Sequence, residues 1–184
     1  GISALQLQAK LGIGSYKTAW LLLHKLRKSM VDPERDPLEG MVEVDETTIA
    51  FRTKDEEIAG GHGRSHDGKI LIAGAVECIE GRKAGRIRLS MIENFSSTSL
   101  QGFVAANTAE ASTVLTDGFS AYQGMKGRRH KPKVVGVMAA HVLLPWIHRV
   151  FSNLKRLGMG VYHGFRRHHI QAYLDEFVFR WNRR

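Results

Sequence analysis

Residues 41–51 read MVEVDETTIAF. Polar and apolar side chains alternate there with a period of two, which predicts a β-strand. Glu43, Asp45 and Thr47 then share one face of that strand. Carboxylates on a strand of this kind need explaining in a chain whose formal net charge is +9. The elements downstream supply the explanation.

Working outward, KILIAGAVEC (69–78) is a largely apolar run suited to burial on both faces. EGRKAG (80–85) reads as a hairpin turn and RIRLSMI (86–92) as the returning strand. SSTSLQGFVAANTA (96–109) opens with cap residues and reads as a helix. STVLTDG (112–118) is a short buried strand ending in Asp-Gly, and VVGVM (134–138) is a candidate for a further strand. The last third is helical. Pro145 suits a first helical position, and Ile147, Val150, Phe151, Leu154 and Leu157 follow at helical spacing. Gly158, Gly160 and Gly164 interrupt the pattern before a final helix over 166–182, with Ile170, Tyr173, Leu174, Phe177 and Trp181 on one stripe. Three strands, a helix, one or two more strands and then helices is the element order of a ribonuclease H-like α/β fold, a mixed sheet with flanking helices. In that fold the first and fourth strands are neighbours at the centre of the sheet.

Ahead of this unit, residues 3–30 read as two helices. Ser3 can cap the first and Gly12 can end it; Ser15 can cap the second. Tyr16, Ala19, Trp20, Leu23, Leu26 and Met30 fall on one stripe of the second, with Lys17, Lys25 and Lys28 off it. A short helix, a glycine turn and a longer basic helix resemble a helix-turn-helix over 1–31. DPERDPLEG (32–40) is a linker and a domain boundary, leaving 41–184 as the second unit. GGHGRSHDGK (60–69) reads as a loop; it lacks the Gly-Lys-Ser/Thr ending of a phosphate-binding P-loop.

Composition narrows the function. No apolar run is long enough for a membrane span, and the opening GISALQLQAK has no signal-peptide pattern. The single cysteine, Cys78, excludes an internal disulfide and a cysteine zinc cluster, and suits a reducing cytoplasm. The charge is polarised. Sixteen of the 18 acids lie in residues 1–117, beside 14 Lys and Arg; beyond Asp117 there are 13 Lys and Arg against only Asp175 and Glu176. The second half therefore reads as the footprint of a polyanion. His141, His148, His163, His168 and His169 lack the spacing of a one-face zinc motif and read as phosphate-contacting or packing residues.

The chemistry follows from the topology. If strands one and four are neighbours, Asp45 and Asp117 come within a few ångströms. Two such carboxylates repel unless a cation lies between them, and hard oxygen ligands on a rigid sheet suit Mg²⁺ or Mn²⁺. Two ions can clamp the attacking and leaving oxygens of a phosphodiester. The third ligand is open between Asn153 and an acid of the last helix, Glu176 among them.

Four motifs in order carry a family resemblance: VEVDET (42–47), LTDGFSAY (115–122), WIHRVFSNLKR (146–156) followed by YHG, and HIQAYLDEFVFRWNRR (169–184). Together they resemble the ISXO-type insertion-sequence transposases of the DDE superfamily, whose third catalytic position is often asparagine followed by lysine. The resemblance runs over nearly the whole chain. It implies Asp45, Asp117 and Asn153 as a metal-binding triad for two Mg²⁺ or Mn²⁺ ions, with Lys155 as the accompanying basic residue. Thirty-five residues separate Asp117 from Asn153. Members usually begin with a cysteine zinc ribbon and continue past the final NRR, so the chain is expected to be a fragment trimmed at both ends. On a regular helix Asn153 and Lys155 point about 200° apart. Asn153 shares its side with Arg149 and Arg156, and Lys155 shares its side with His148. The working assignment is Asn153 facing the metals, with Lys17, Lys25, Lys28, Arg149, Arg156, Arg166 and Arg167 contacting DNA. The implied function is metal-dependent cleavage of DNA ends and strand transfer, by a homo-oligomer in the bacterial cytoplasm at the nucleoid. The alternatives are another ribonuclease H-like nuclease and a non-catalytic DNA-binding remnant.

Overall fold

The computed structural model describes residues 1–50, 68–80, 83–133, 140–162 and 164–184. At its centre is β1 (Met41–Ala50), paired antiparallel with β2 (Lys69–Ile79) on one side and parallel with β4 (Thr113–Thr116) on the other. The outer strands are β3 (Lys83–Ile92), antiparallel to β2, and β5 (Arg129–Pro132), parallel to β4. The sheet order β3-β2-β1-β4-β5 is that of a ribonuclease H-like fold, as the element order predicts. Two details of the sheet differ from the sequence reading. β3 starts at Lys83, so the turn before it is shorter than EGRKAG. The fifth strand is RHKP at 129–132, whereas VVGVM lies outside the described residues.

Helices cover both faces. Alternation along β1 and β2 sends Val42, Val44, Ala73 and Ala75 toward α3 (Ser97–Asn107), where they pack with Leu100, Phe103, Val104 and Tyr122. The opposite face carries α5 (Pro145–Leu157) and α6 (Ile170–Trp181), preceded by the short α4 (Ala140–Leu143). Ile70, Ile72, Ile87, Leu89 and Leu115 meet Ile147, Val150, Phe151, Leu154, Ile170 and Leu174 there. Each such side chain contributes about 1.5–3 kcal/mol by leaving water. The approach of α5 depends on Gly74. A Cβ on that residue would stand 2.6 Å from the Phe151 ring and 2.9 Å from Ile147 Cδ1, and Gly74 is the β2 partner of Asp45 in the ladder.

The two leading helices form as expected. In α1 (Ala4–Leu11) Ser3 and Gln6 make a reciprocal capping box, and Gly12 ends the helix at φ 62°. In α2 (Tyr16–Ser29) Ala19, Leu23 and Arg27 are buried, while Tyr16 is 50% exposed and Leu26 44%. The packed stripe is thus rotated from the purely apolar one. The cause is Arg27, whose Nε donates to Glu176 Oε2 on α6 at 2.8 Å. The segment before β1 is tied down as well. Leu38 is buried and bridges Thr108, and Arg86 and Arg88 donate to the carbonyls of Pro37 and Asp36.

Candidate active site

The site begins with strand register. Glu43 pairs with Leu115 across the parallel β1–β4 ladder. Two residues further along each strand come Asp45 and Asp117, on the same face as that pair. Neighbouring strands lie about 4.7–4.9 Å apart, so the two carboxylates share one end of the sheet centre. Asp117 sits just past the last residue of β4. Its Oδ1 accepts from Phe119 N at 2.9 Å, and Gly118 takes φ 89° to make that turn. Thr116 Oγ1 accepts from Gly118 N at 3.3 Å and lies 2.9 Å from His130 Nε2 on β5. The Asp-Gly signal is therefore a turn that also fixes a carboxylate.

Asp45 is 7% exposed. Its Oδ1 accepts from Glu46 N at 2.9 Å. Burial pushes its carboxyl up to about 8, and the charges of Glu46, Asp117 and Glu43 add to the rise. Glu46 points to the α3 face, where Tyr122 donates to it at 2.7 Å; burial and that carboxylate push the phenol upward.

Glu43 has a different task. Its Oε2 accepts from the backbone N–H groups of Trp146 and Ile147, each at 2.9 Å. The residue preceding α5, Leu144, offers no side-chain cap, so a carboxylate from the neighbouring strand caps the helix and favours its positive end. Burial raises the Glu43 carboxyl and these two donors oppose the rise. The Cys78 thiol nearby is pushed up to about 12 by burial and by Glu43, which disfavours its thiolate.

Capped this way, α5 presents His148 to the sheet. His148 Nε2 lies 3.4 Å from Asp45 Oδ2. Ser152 and Lys155 follow four and seven residues later, on the same side of the helix. Lys155 is exposed and lines a cleft with Thr48, Ile49 and Ala50 at the end of β1. α5 therefore runs alongside β1, with Glu43, Asp45 and the strand end meeting successive turns of the helix.

The structure distributes the sequence-derived candidates unevenly. Asp45 and Asp117 come together, and Lys155 lies on their side of α5. Asn153 does not join them in the same way: it is about 140° around the helix from His148 and lines a cleft with Gly1, Leu157, Phe177 and Arg180. Glu176 is engaged elsewhere, by Arg27, by Tyr162 Oη at 2.9 Å and by Arg180 at 3.6 Å, while Asp175 accepts from Gln171. Lys17, Lys25, Lys28, Arg149, Arg156, Arg166 and Arg167 are all exposed, with Arg149 stacked 5.0 Å over Trp146. His148, read from the sequence as phosphate-contacting or packing, is the residue that the structure sets against Asp45. The available signal was its seven-residue spacing to Lys155, which puts both on one helix side.

The donor set suits a hard divalent ion. Oxygen ligands from two carboxylates match Mg²⁺ or Mn²⁺, and an ion there would oppose the burial and the neighbouring carboxylates that raise the Asp45 carboxyl. The site is not a closed cage: among the described residues no group of three or more His, Cys, Asp or Glu side chains is drawn together to hold an ion. Among the described residues, no helix is long and apolar enough to cross a membrane.

A family model described as an ISXO2-like transposase domain matches residues 37–182. Among solved structures, the cryo-electron microscopy structure of the simian T-cell lymphotropic virus intasome in complex with PP2A regulatory subunit B56 gamma aligns over 97% of this chain and 63% of that chain, at 12% identity and a TM-score of 0.49. This chain thus spans less than two thirds of that chain's length. No curated protein sequence matches.

Proposed function

Because the chain belongs to the ISXO2-like transposase domain family, we propose that it cuts DNA at the ends of an insertion sequence and joins them to target DNA. Asp45 and Asp117 would hold Mg²⁺ or Mn²⁺ between them. His148 would take the third position on α5, in place of the Asn153 that the family resemblance implies. The observation that carries this reading is the Glu43–Leu115 register of β1 and β4, with Asp45 two residues further along β1 and Asp117 just past the end of β4, and with His148 against Asp45. When bound, two such ions supply Lewis acidity to the attacking oxygen and the leaving oxygen of a phosphodiester.

The chain's own residues do the rest. Asp45 would be held ionised with a cation beside it, because a positive charge opposes the burial and the neighbouring carboxylates that raise its carboxyl. Glu43 fixes α5 so that His148 stays opposite Asp45, and Asp117 is held by its turn. This preorganisation spares reordering during the reaction. Lys155 sits where it can hold a phosphate beside the cut, and the exposed cations of α2, α5 and 166–167 hold flanking phosphates. Two element ends need two active sites, so the working form is a homo-oligomer on DNA, at the nucleoid of a bacterial cytoplasm. The reading is tested by nicking of supercoiled plasmid and strand transfer of a labelled oligonucleotide in Mn²⁺. Both are expected from the wild type and neither from Asp45→Asn or Asp117→Asn. Nicking that persists in both variants overturns the reading.

A further inference from the structure

A separate cleft of about 350 Å³ lies where α2 meets the segment between α5 and α6. Tyr16, Lys17, Trp20, Tyr162, Arg166 and Tyr173 line it, with His169. Its wall is aromatic. Tyr162 and Tyr173 have ring centroids 4.5 Å apart, Trp20 and His169 are 4.9 Å apart, and Tyr16 stands half exposed at the rim. Lys17 and Arg166 are exposed beside those rings. Below them, the Arg27 guanidinium lies 4.3 Å from the Tyr173 centroid, and its charge is already matched by Glu176. His24, 4.0 Å from Trp20, keeps an Nε2 that is buried and without a hydrogen-bond partner among the described residues.

Stacking surfaces beside exposed cations select a ligand that is both planar and anionic. A purely apolar ligand leaves Lys17 and Arg166 unused. Duplex DNA offers phosphates, but its base faces are already stacked on one another. An unpaired nucleotide offers both groups. Position points the same way. Gly164 lines this cleft and also the cleft that holds Lys155. A strand leaving Lys155 therefore crosses the turn at Gly158–Tyr162 and meets the aromatic wall.

We propose that this cleft binds an unpaired DNA nucleotide next to the cut, with its base stacked among Tyr16, Trp20 and Tyr173 and its phosphate on Lys17 and Arg166. The proposal rests on the DNA-cutting reading above and adds that the enzyme holds a frayed or tailed end. The test is fluorescence anisotropy at fixed salt, comparing a blunt duplex with the same duplex carrying a short unpaired tail. The wild type is expected to prefer the tailed form by roughly tenfold or more, the scale of a base–aromatic stack. Tyr16→Ala, at an exposed position that the fold does not need, and Trp20→Phe are each expected to shrink that ratio. A 2-aminopurine in the tail should be quenched on binding by the wild type, and less so by Tyr16→Ala. Equal affinity for both duplexes, or a preference unchanged in both variants, overturns the cleft and leaves the DNA-cutting reading standing. Absence of binding to either duplex overturns both.

Discussion

His148 on α5 and Asp45 on β1 meet side chain to side chain, Nε2 to Oδ2 at 3.4 Å. The helix is set for this contact by Glu43, two residues earlier on the same strand, which caps it at Trp146 and Ile147. If His148 takes the third position, as proposed, His148→Ala should lower metal-dependent nicking by at least the 10- to 100-fold that loss of even an outer-shell partner costs. His148→Glu should retain much of the activity, because a carboxylate also suits Mg²⁺ and Mn²⁺. Asn153→Ala should cost far less. The opposite ranking, read from initial rates in Mn²⁺, would return the third position to Asn153.

Gly74 holds the floor of the site. Gly74→Ala places a methyl group 2.6 Å from the Phe151 ring, and the helix must shift to admit it. Overpacking of this kind costs about 1–3 kcal/mol. Denaturant unfolding should show that loss, and nicking should fall further than stability alone explains, since the shift moves His148 from Asp45. A variant with full stability and full activity would show that close helix approach is not needed.

Asp45 makes stability depend on pH in a definite direction. Its folded value, about 8, lies above the ordinary 3.8, so the folded protein holds the proton more tightly than the unfolded chain does. That contribution is complete below the ordinary value and is lost as pH rises through about 8. Without divalent metal, the melting temperature should fall over this window, and Asp45→Asn should remove that component. Mn²⁺ should restore more stability at the alkaline end than at the acid end, and its binding should release a proton, seen calorimetrically as a heat that changes with the buffer's ionisation enthalpy. A metal effect that is flat across the window would contradict the assignment.

The leading helices depend on a buried ion pair. The side chains of Arg27 and Glu176 are 2% and 7% exposed, and removing Arg27 takes from the buried Glu176 its nearest cation, with Arg180 farther off at 3.6 Å. Arg27→Ala should cost about 3–5 kcal/mol, whereas replacing both with apolar residues of similar volume should cost much less. Urea unfolding of the single and double variants measures the difference. Equal losses would mean the pair itself, and not the uncompensated charge, supplies the stability.

Much of the architecture was legible because it rests on local periodicity. The alternation in MVEVDETTIAF and the apolar run KILIAGAVEC are forced by burial on one face and on two. The element order then brought Asp45 to Asp117 before any coordinates. RHKP was not legible as a strand: it is four residues long, polar, and at the sheet edge, where there is no burial pattern to read. The direction of α5 was equally hidden. Periodicity separates the sides of a helix but does not say which non-core side faces the sheet, so Asn153 and His148 could be ranked only by resemblance. The face was decided by Glu43, through a cap between elements 103 residues apart in sequence. Arg27 misled in the same way, as a cation inside a stripe expected to be apolar.

The most direct test of the account is Mn²⁺ binding by calorimetry to the wild type, Asp45→Asn and Asp117→Asn, with folding of each checked by circular dichroism. The account predicts binding by the wild type and its loss in either folded variant, because both carboxylates serve one site. Binding that survives undiminished in both variants would contradict it, and would leave these two acids a role in the fold alone.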